Sequence, residues 1–223
     1  EEDIPVLLSV GKDSIYIWEK DDTMLHENEA AEILYAMCKN KHMHPSDVKE
    51  GKIEVVADCD GLLIVDSDKL KKVNAFGQMM IASRHGNTPV KKGDKLAGTR
   101  IIPLVIEKEK MHKAAAICAD GPILELKEFH KKKVGIITTG NEVYHKRIED
   151  TFTPVIKEKL AEYDTEVIYH EIFDDNHEKI TKGCLTAIEK GADLVICTGG
   201  MSVDPDDKTP LAIKNTGAEI VSY

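Results

Sequence analysis

The chain has 223 residues, 42% of them hydrophobic, and a formal net charge of −10. That is enough apolar material for one large core or two smaller ones. The acidic balance argues against nucleic acid or anionic membrane as the main partner, because both are held by basic surfaces. Five cysteines stand at 38, 59, 118, 184 and 197, an odd number with no CxxC pair. This pattern fits free thiols in a reducing cytoplasm better than a disulfide framework. No apolar run approaches the roughly 18 residues of a membrane span.

Glu1–Val10 reads as a short helix closed by Gly11, and Ser14–Glu19 (SIYIWE) as a strand. Thr23 to Asn40 has a helical apolar stripe at Leu25, Ala30, Ile33, Leu34 and Met37, with Thr23 or Asn28 as the cap. His42-Met43-His44 has the spacing that puts two rings on one side of a strand. No third metal ligand lies close by in sequence, so a solvated helix-to-loop junction is the plainer reading. Lys52–Val56 and Leu62–Val65 flank a turn containing Asp60-Gly61 and read as a hairpin. Asp66–Phe76 is a capped helix, Met79–Ser83 a strand, and Arg84–Pro89 a loop. Lys91–Arg100 leads into Ile101–Ile106 with the rhythm of a small β-barrel connection, and Arg100 is the cation to watch for phosphate. Glu107–Ala119 is a helix ended by Asp120-Gly121-Pro122. Ile123–Glu128 alternates like an exposed strand, and the basic stretch Phe129–Lys133 marks a domain boundary. The expected division is an α+β region over 1–130 and an α/β domain over 131–223.

From Val134 the pattern is regular. Strand Val134–Ile137 meets Thr138-Thr139-Gly140-Asn141-Glu142. Helix Asp150–Tyr163 follows, with Phe152, Val155, Ile156, Leu160 and Tyr163 at helical spacing. Strand Glu166–Tyr169 leads to the acidic loop Phe173-Asp174-Asp175-Asn176. Helix His177–Lys190 carries Ile180, Cys184, Ala187 and Ile188 on one face. Leu194–Cys197 then reads as a buried strand running into TGGMSVDPDDKTP, with Pro210 opening a last helix. Strands alternating with helices predict a three-layer α/β sandwich with a mostly parallel sheet, preceded by a smaller α+β region.

The chemistry concentrates at the strand ends. Gly199 and Gly200 let a ligand approach the main chain, and backbone N–H groups near a helix start attract phosphate. Asp204, Asp206 and Asp207 would repel a bare phosphate, and Mg²⁺ is the natural bridge. An ordinary acidic strand-to-helix loop with a glycine turn explains the same residues. Loops at the carboxyl ends of strands in an open α/β sheet meet in one crevice, so the Thr139, Asp174 and Gly199 loops are expected to converge.

Together the TTGNEV, FDDN and TGGMSVDPDDKTP runs resemble the molybdopterin-binding domain of molybdenum cofactor biosynthesis proteins, over roughly 133–223. Two enzymes share that domain: molybdopterin adenylyltransferase, which uses ATP and Mg²⁺, and the molybdenum insertase, which releases AMP. The Asp207-x-Thr209-Pro210 run is similar to the first, and Thr139-Gly140-Asn141-Glu142 to the second. Asp204 stands where the family usually has glycine. The insertase's Ser-x-Met-Asp-Gly signature is absent from this sequence.

The resemblance implies a transferase of cofactor assembly. Asp207, Asp174 and Glu142 would be its catalytic residues, with Asp207 and Asp174 on Mg²⁺. Thr139, Gly140, Asn141, Thr198, Gly199, Gly200, Ser202, Thr209 and Pro210 would bind the pterin or nucleotide. It also implies a homo-oligomer, and further residues beyond both ends of this chain. Two other readings stay open: a nucleotide or pyrophosphate hydrolase of the competence/damage-inducible type, and a non-catalytic pterin carrier or sensor.

Overall fold

The computed structural model describes residues 2–14, 21–202 and 207–222. The strand expected over Ser14–Glu19 therefore lies almost wholly outside the described residues, as do Asp204 and Asp206. The chain divides into two compact units, Glu1–Glu128 and Phe129–Tyr223. The N-terminal unit is the longer of the two.

In the first unit, α1 (Ile4–Ser9) is followed by β1 (Met24–His26) and α2 (Glu27–Cys38). The helix starts later than its periodicity indicates, because His26 and Glu29 form a reciprocal cap. The His26 ring accepts from the Asn28 N–H, and the Glu29 carboxylate accepts from the His26 N–H at 3.0 Å. Ala30, Ala31, Leu34, Met37 and Cys38 of α2 are buried. The unit continues through β2 (Met43–Pro45), β3 (Lys52–Ala57), β4 (Gly61–Val65), α3 (Ser67–Asn74), β5 (Met79–Ser83) and β6 (Thr88–Val90). It ends with β7 (Lys95–Ile101), β8 (Val105–Glu107), α4 (Lys108–Ala116) and β9 (Leu124–Glu128). Its sheets are antiparallel and run β2-β3-β7-β5, β6-β4-β9 and β1-β8.

The expected hairpin of β3 with β4 does not form; the two strands enter different sheets. The turn between them is tied to its neighbours instead. The Asp58 N–H donates to the His42 carbonyl at 2.8 Å, and Asp60 accepts from the Lys92 N–H at 2.7 Å. His44 pairs with Asp58 at 2.6 Å, so its ring serves the turn. Within the stretch read as a connection leading through Ile106, the chain forms two strands, β7 and β8. Pro103 has no N–H to give a ladder and falls in the break. Arg100 is exposed within β7.

The second unit holds β10 (Lys133–Thr139), α5 (Asn141–Tyr144), α6 (Phe152–Ala161), β11 (Glu166–Phe173), α7 (His177–Glu189), β12 (Leu194–Thr198) and α8 (Thr209–Asn215). Its sheet is parallel, in the order β11-β10-β12. The core strand β10 is buried from Val134 through Thr139. Helix α7 lies close on it because two small residues permit the approach. A Cβ on Gly135 would stand 2.6 Å from that of Ala187, and one on Gly183 would stand 2.5 Å from the Phe173 ring.

Three expectations for this unit are corrected. Strand β12 lies at an edge of the described sheet and is only partly buried, with Leu194 44% exposed. On α6 the buried residue is Thr153, whereas Phe152 and Val155 face outward. On α7 the buried face includes Gly183, and Ile188 is exposed. The run Ala218–Ser222 forms no strand.

Candidate functional site

Strand order fixes where a site can form. From β10 the chain passes first to β11 on one side and then to β12 on the other. The connections thus leave in opposite directions on either side of β10. Such a reversal opens a crevice at the carboxyl ends of β10 and β12. Thr139-Gly140 ends one of these strands and Thr198-Gly199-Gly200 ends the other.

The two turns are in direct contact. Gly199 has φ +88°, and a Cβ there would lie 2.0 Å from the Thr139 carbonyl oxygen. Only glycine fits so close to a backbone atom at that angle. Behind the turns, the Thr139 hydroxyl donates to the Thr198 carbonyl at 3.3 Å and shares a hydrogen bond with the Thr209 hydroxyl at 2.9 Å. The Thr209 N–H donates to the Gly200 carbonyl at 3.3 Å. Thr139 and Thr209 are buried, which puts both beneath the crevice, holding its floor together. Thr209 begins α8, one position before Pro210, and Lys208 is the residue before the helix.

On the opposite side of β10, the Gly140 N–H donates to the Phe173 carbonyl at 3.2 Å, and the Asn141 N–H to Asp175 at 3.2 Å. The β10 and β11 loops are thereby joined. Asn141 and Glu142 lie in α5 and are exposed, with the Glu142 carbonyl accepting from the Arg147 N–H. Asn176 caps α7 by accepting from the N–H groups of Glu178 and Lys179. Asp174 receives the Lys179 ammonium at 2.7 Å. That hydrogen bond holds its carboxyl below the usual carboxylate range and raises Lys179 in turn.

The other Asp174 oxygen, Oδ1, is shielded and has no hydrogen-bond partner among the described residues. The same is true of Asp207 Oδ2. Leaving such an acceptor unpaired is costly, and a carboxylate is the kind of ligand that Mg²⁺ takes from protein. Mg²⁺ is usually held by one or two carboxylates, with waters and substrate phosphate completing its shell. Each carboxylate is by its chemistry a candidate ligand for that ion; the two follow β11 and β12, which β10 separates. Among the described residues no three His, Cys, Asp or Glu side chains form a closed cage.

Ser202 is exposed, and Pro210 stands in the first turn of α8. Both border a groove of about 740 Å³ whose wall includes Met201, Ile213 and Ile220. Two features of this region had no clear signal in the sequence. One is the Lys179 ion pair with Asp174. The other is a polar cluster in which His170 Nε2 lies 3.3 Å from the Thr138 hydroxyl and 3.2 Å from that of Thr153. Burial lowers the His170 pKa, helped by the positive charge of Lys157 and opposed by Asp150. Alternation along β11 offered the only hint, since it puts His170 on the same face as Ile172.

Residues 135–222 match the protein-family model described as "Probable molybdopterin binding domain". This part of the chain is a domain of that kind. A protein from Bacillus velezensis named as competence-damage inducible is 36% identical over 85 residues, which are 38% of this chain and 20% of that protein. The chain thus spans about a fifth of the length of the curated relatives it matches. The tungsten cofactor synthesizing protein MoaB from Pyrococcus furiosus is 32% identical, at a TM-score of 0.36, over 38% of this chain and 52% of that one. CinA from Thermoplasma acidophilum is 27% identical, at a TM-score of 0.37, over 38% of this chain and 50% of that one. No described helix is long and apolar enough to cross a membrane.

Proposed function

We propose that residues 129–223 bind molybdopterin, free or adenylylated, through its phosphate, and serve a transferase step of molybdenum cofactor assembly. The observation that carries this reading is the pair of Thr-Gly turns, packed against each other at the switch point of the parallel sheet. The main-chain N–H groups of Gly199 and Gly200 and the Ser202 hydroxyl donate to phosphate oxygens. Asp207 and Asp174 would hold Mg²⁺, which supplies charge neutralisation at the phosphates when bound. Lys179 keeps Asp174 ionised, ready to act as a ligand. Glu142, Asn141 and Gly140 border the crevice on the β10 side, where the pterin or the nucleotide lies. The groove beside Ser202 and Pro210 receives the apolar part of the ligand. The reading includes ATP as adenylyl donor or AMP as product, helices on both faces of the sheet as a three-layer sandwich, and self-association of the chain.

The test is calorimetric titration of the whole chain with molybdopterin and with its adenylylated form, with and without Mg²⁺, repeated on Asp207→Asn. Saturable binding that tightens with Mg²⁺, and loses that tightening in the variant, supports the reading. Absence of binding to either pterin in a folded sample refutes it.

The match to competence-damage inducible proteins favours a second reading, hydrolysis of a nucleotide or pyrophosphate at the same crevice. Hydrolysis of a dinucleotide to two mononucleotides in the absence of pterin distinguishes it from the first.

A further inference from the structure

The second unit contains a thiol pair that the proposed pterin chemistry does not use. Cys184 sits on the buried face of α7 and Cys197 on β12, with their sulfurs 3.7 Å apart. Both line a cavity of about 320 Å³, together with Ile188, Leu194, Val195 and Ile213. The pair is thus adjacent, unbridged and reachable through an opening.

We propose that Cys184 and Cys197 form a reversible disulfide on exposure to a peroxide, and that this bond displaces the end of β12 next to the Gly199-Gly200 turn. A disulfide needs its sulfurs at about 2.05 Å, so the pair must close by about 1.7 Å. The helix cannot supply much of that movement, because α7 is seated against β10 at Gly135 and against Phe173 of β11 at Gly183. Strand β12 can supply it, since β10 is its one hydrogen-bonded neighbour among the described strands. Cys197 precedes Thr198, whose carbonyl accepts from the Thr139 hydroxyl, so the movement reaches the floor of the crevice.

The two thiols are not equivalent. The hydrogen bond from Cys197 lowers the pKa of Cys184, while donating that bond raises Cys197, and burial adds to its rise. The remaining thiols are all raised by burial, Cys38 to about 12. With Cys184 lining the cavity through which a small peroxide arrives, and its thiolate favoured by the Cys197 hydrogen bond, Cys184 is the sulfur assigned the attack. Its thiolate takes the terminal oxygen of the hydroperoxide; the O–O bond breaks, and the alkoxide or hydroxide released is protonated. Cys184 becomes a sulfenic acid. The Cys197 sulfur then attacks the sulfenic sulfur, the S–S bond forms, and water leaves with the thiol proton. Two thiols are oxidised by two electrons and one peroxide is reduced.

The experiment treats the whole chain with hydrogen peroxide, alkylates the remaining thiols, and maps peptides by mass spectrometry before and after dithiothreitol. A Cys184–Cys197 cross-linked peptide that dithiothreitol removes is expected, with Cys38, Cys59 and Cys118 still alkylated. Full alkylation of Cys184 and Cys197 after peroxide, or overoxidation of either without a cross-link, overturns the proposal. In Cys197→Ser, dimedone should label Cys184; labelling of Cys197 instead in Cys184→Ser reverses the assigned order. Hydrogen exchange of the peptide spanning 194–202 should differ between the oxidised and reduced protein. Identical exchange overturns the coupling to the turn. None of these measurements uses a pterin, so their outcome is separable from that of the ligand titration.

Discussion

Replacing Gly199 by alanine tests the contact on which the candidate site depends. Two costs add at this position. Holding a residue with a Cβ at φ +88° costs about 1–2 kcal/mol. The new Cβ would also lie 2.0 Å from the Thr139 carbonyl oxygen, a backbone atom fixed in the central strand. Relieving such overpacking costs about 1–3 kcal/mol more. Gly199→Ala should therefore lose about 2–5 kcal/mol, a large share of the 5–15 kcal/mol typical of a domain. Gly191→Ala is the matched control in the same unit. Its φ is +91°, and a Cβ there meets nothing within 4 Å, so only the conformational cost of about 1–2 kcal/mol applies. The single tryptophan lies at position 18, outside this unit, so fluorescence does not report on it. Urea-dependent hydrogen exchange of the peptide spanning 133–139 does. Equal losses in the two variants would refute the claim that the turns of β10 and β12 are packed backbone to backbone.

Removing the hydroxyl with Thr139→Val should cost about 1–3 kcal/mol, because the buried Thr209 hydroxyl and the Thr198 carbonyl lose their shared partner. Thr139→Ser should recover most of it in the same exchange assay. Gly183→Ala should destabilise the unit by about 1–3 kcal/mol by driving α7 off Phe173; a neutral result in urea unfolding would mean that the helix has room to shift. The pH dependence follows from His170. Its folded pKa lies below the ordinary value near 6.5, so on acidification the unfolded chain takes up the proton first. Stability of the second unit should be complete above about pH 7 and fall as the pH drops through the folded pKa. His170→Gln should flatten that slope in urea titrations at stepped pH, and an unchanged slope would assign it to other groups.

The second unit was the more readable half because its order is local. Each strand in 133–198 is followed by its own helix, and parallel strands joined this way leave few alternatives for pairing. Met79–Ser83, β12 and α7 fall within a residue of where periodicity puts them, whereas β11 runs on to Phe173 past the expected Tyr169 and a short helix, α5, stands where a loop was expected. The first unit failed at pairing, and at element type in its short strands: Met24–His26 was expected to be helix, and Met43–Pro45 and Thr88–Val90 lie largely in expected loops. β3 and β4 are both strands, and the Asp-Gly turn between them invites a hairpin, yet His42 and Lys92 claim the turn. Both lie far from it in sequence, so no local signal records that competition. The exposed side chains of α6 were misread for a related reason. A helical stripe shows which residues share a face, but not that the face turns outward, as Phe152 and Val155 do. At the crevice, residue types indicated which loops matter. They could not reveal that Thr139 and Thr209 bond to each other below the surface, seventy positions apart.

The two carboxylates connect stability with function. Asp174 has one oxygen held by Lys179 and the other left unpaired; Asp207 also keeps a shielded oxygen without a partner among the described residues. Each unpaired acceptor costs about 1–3 kcal/mol in the free protein. An asparagine at 207 keeps the shape and still leaves an unpaired amide atom there, so the change should move stability little. The variant should stay close to the parent in stability while losing the Mg²⁺-dependent part of ligand binding. A residue serving only the fold would behave in the opposite way, with its replacement lowering stability and sparing the response to the ion. Asp207→Asn thus separates a carboxylate kept for a ligand from one kept for the loop.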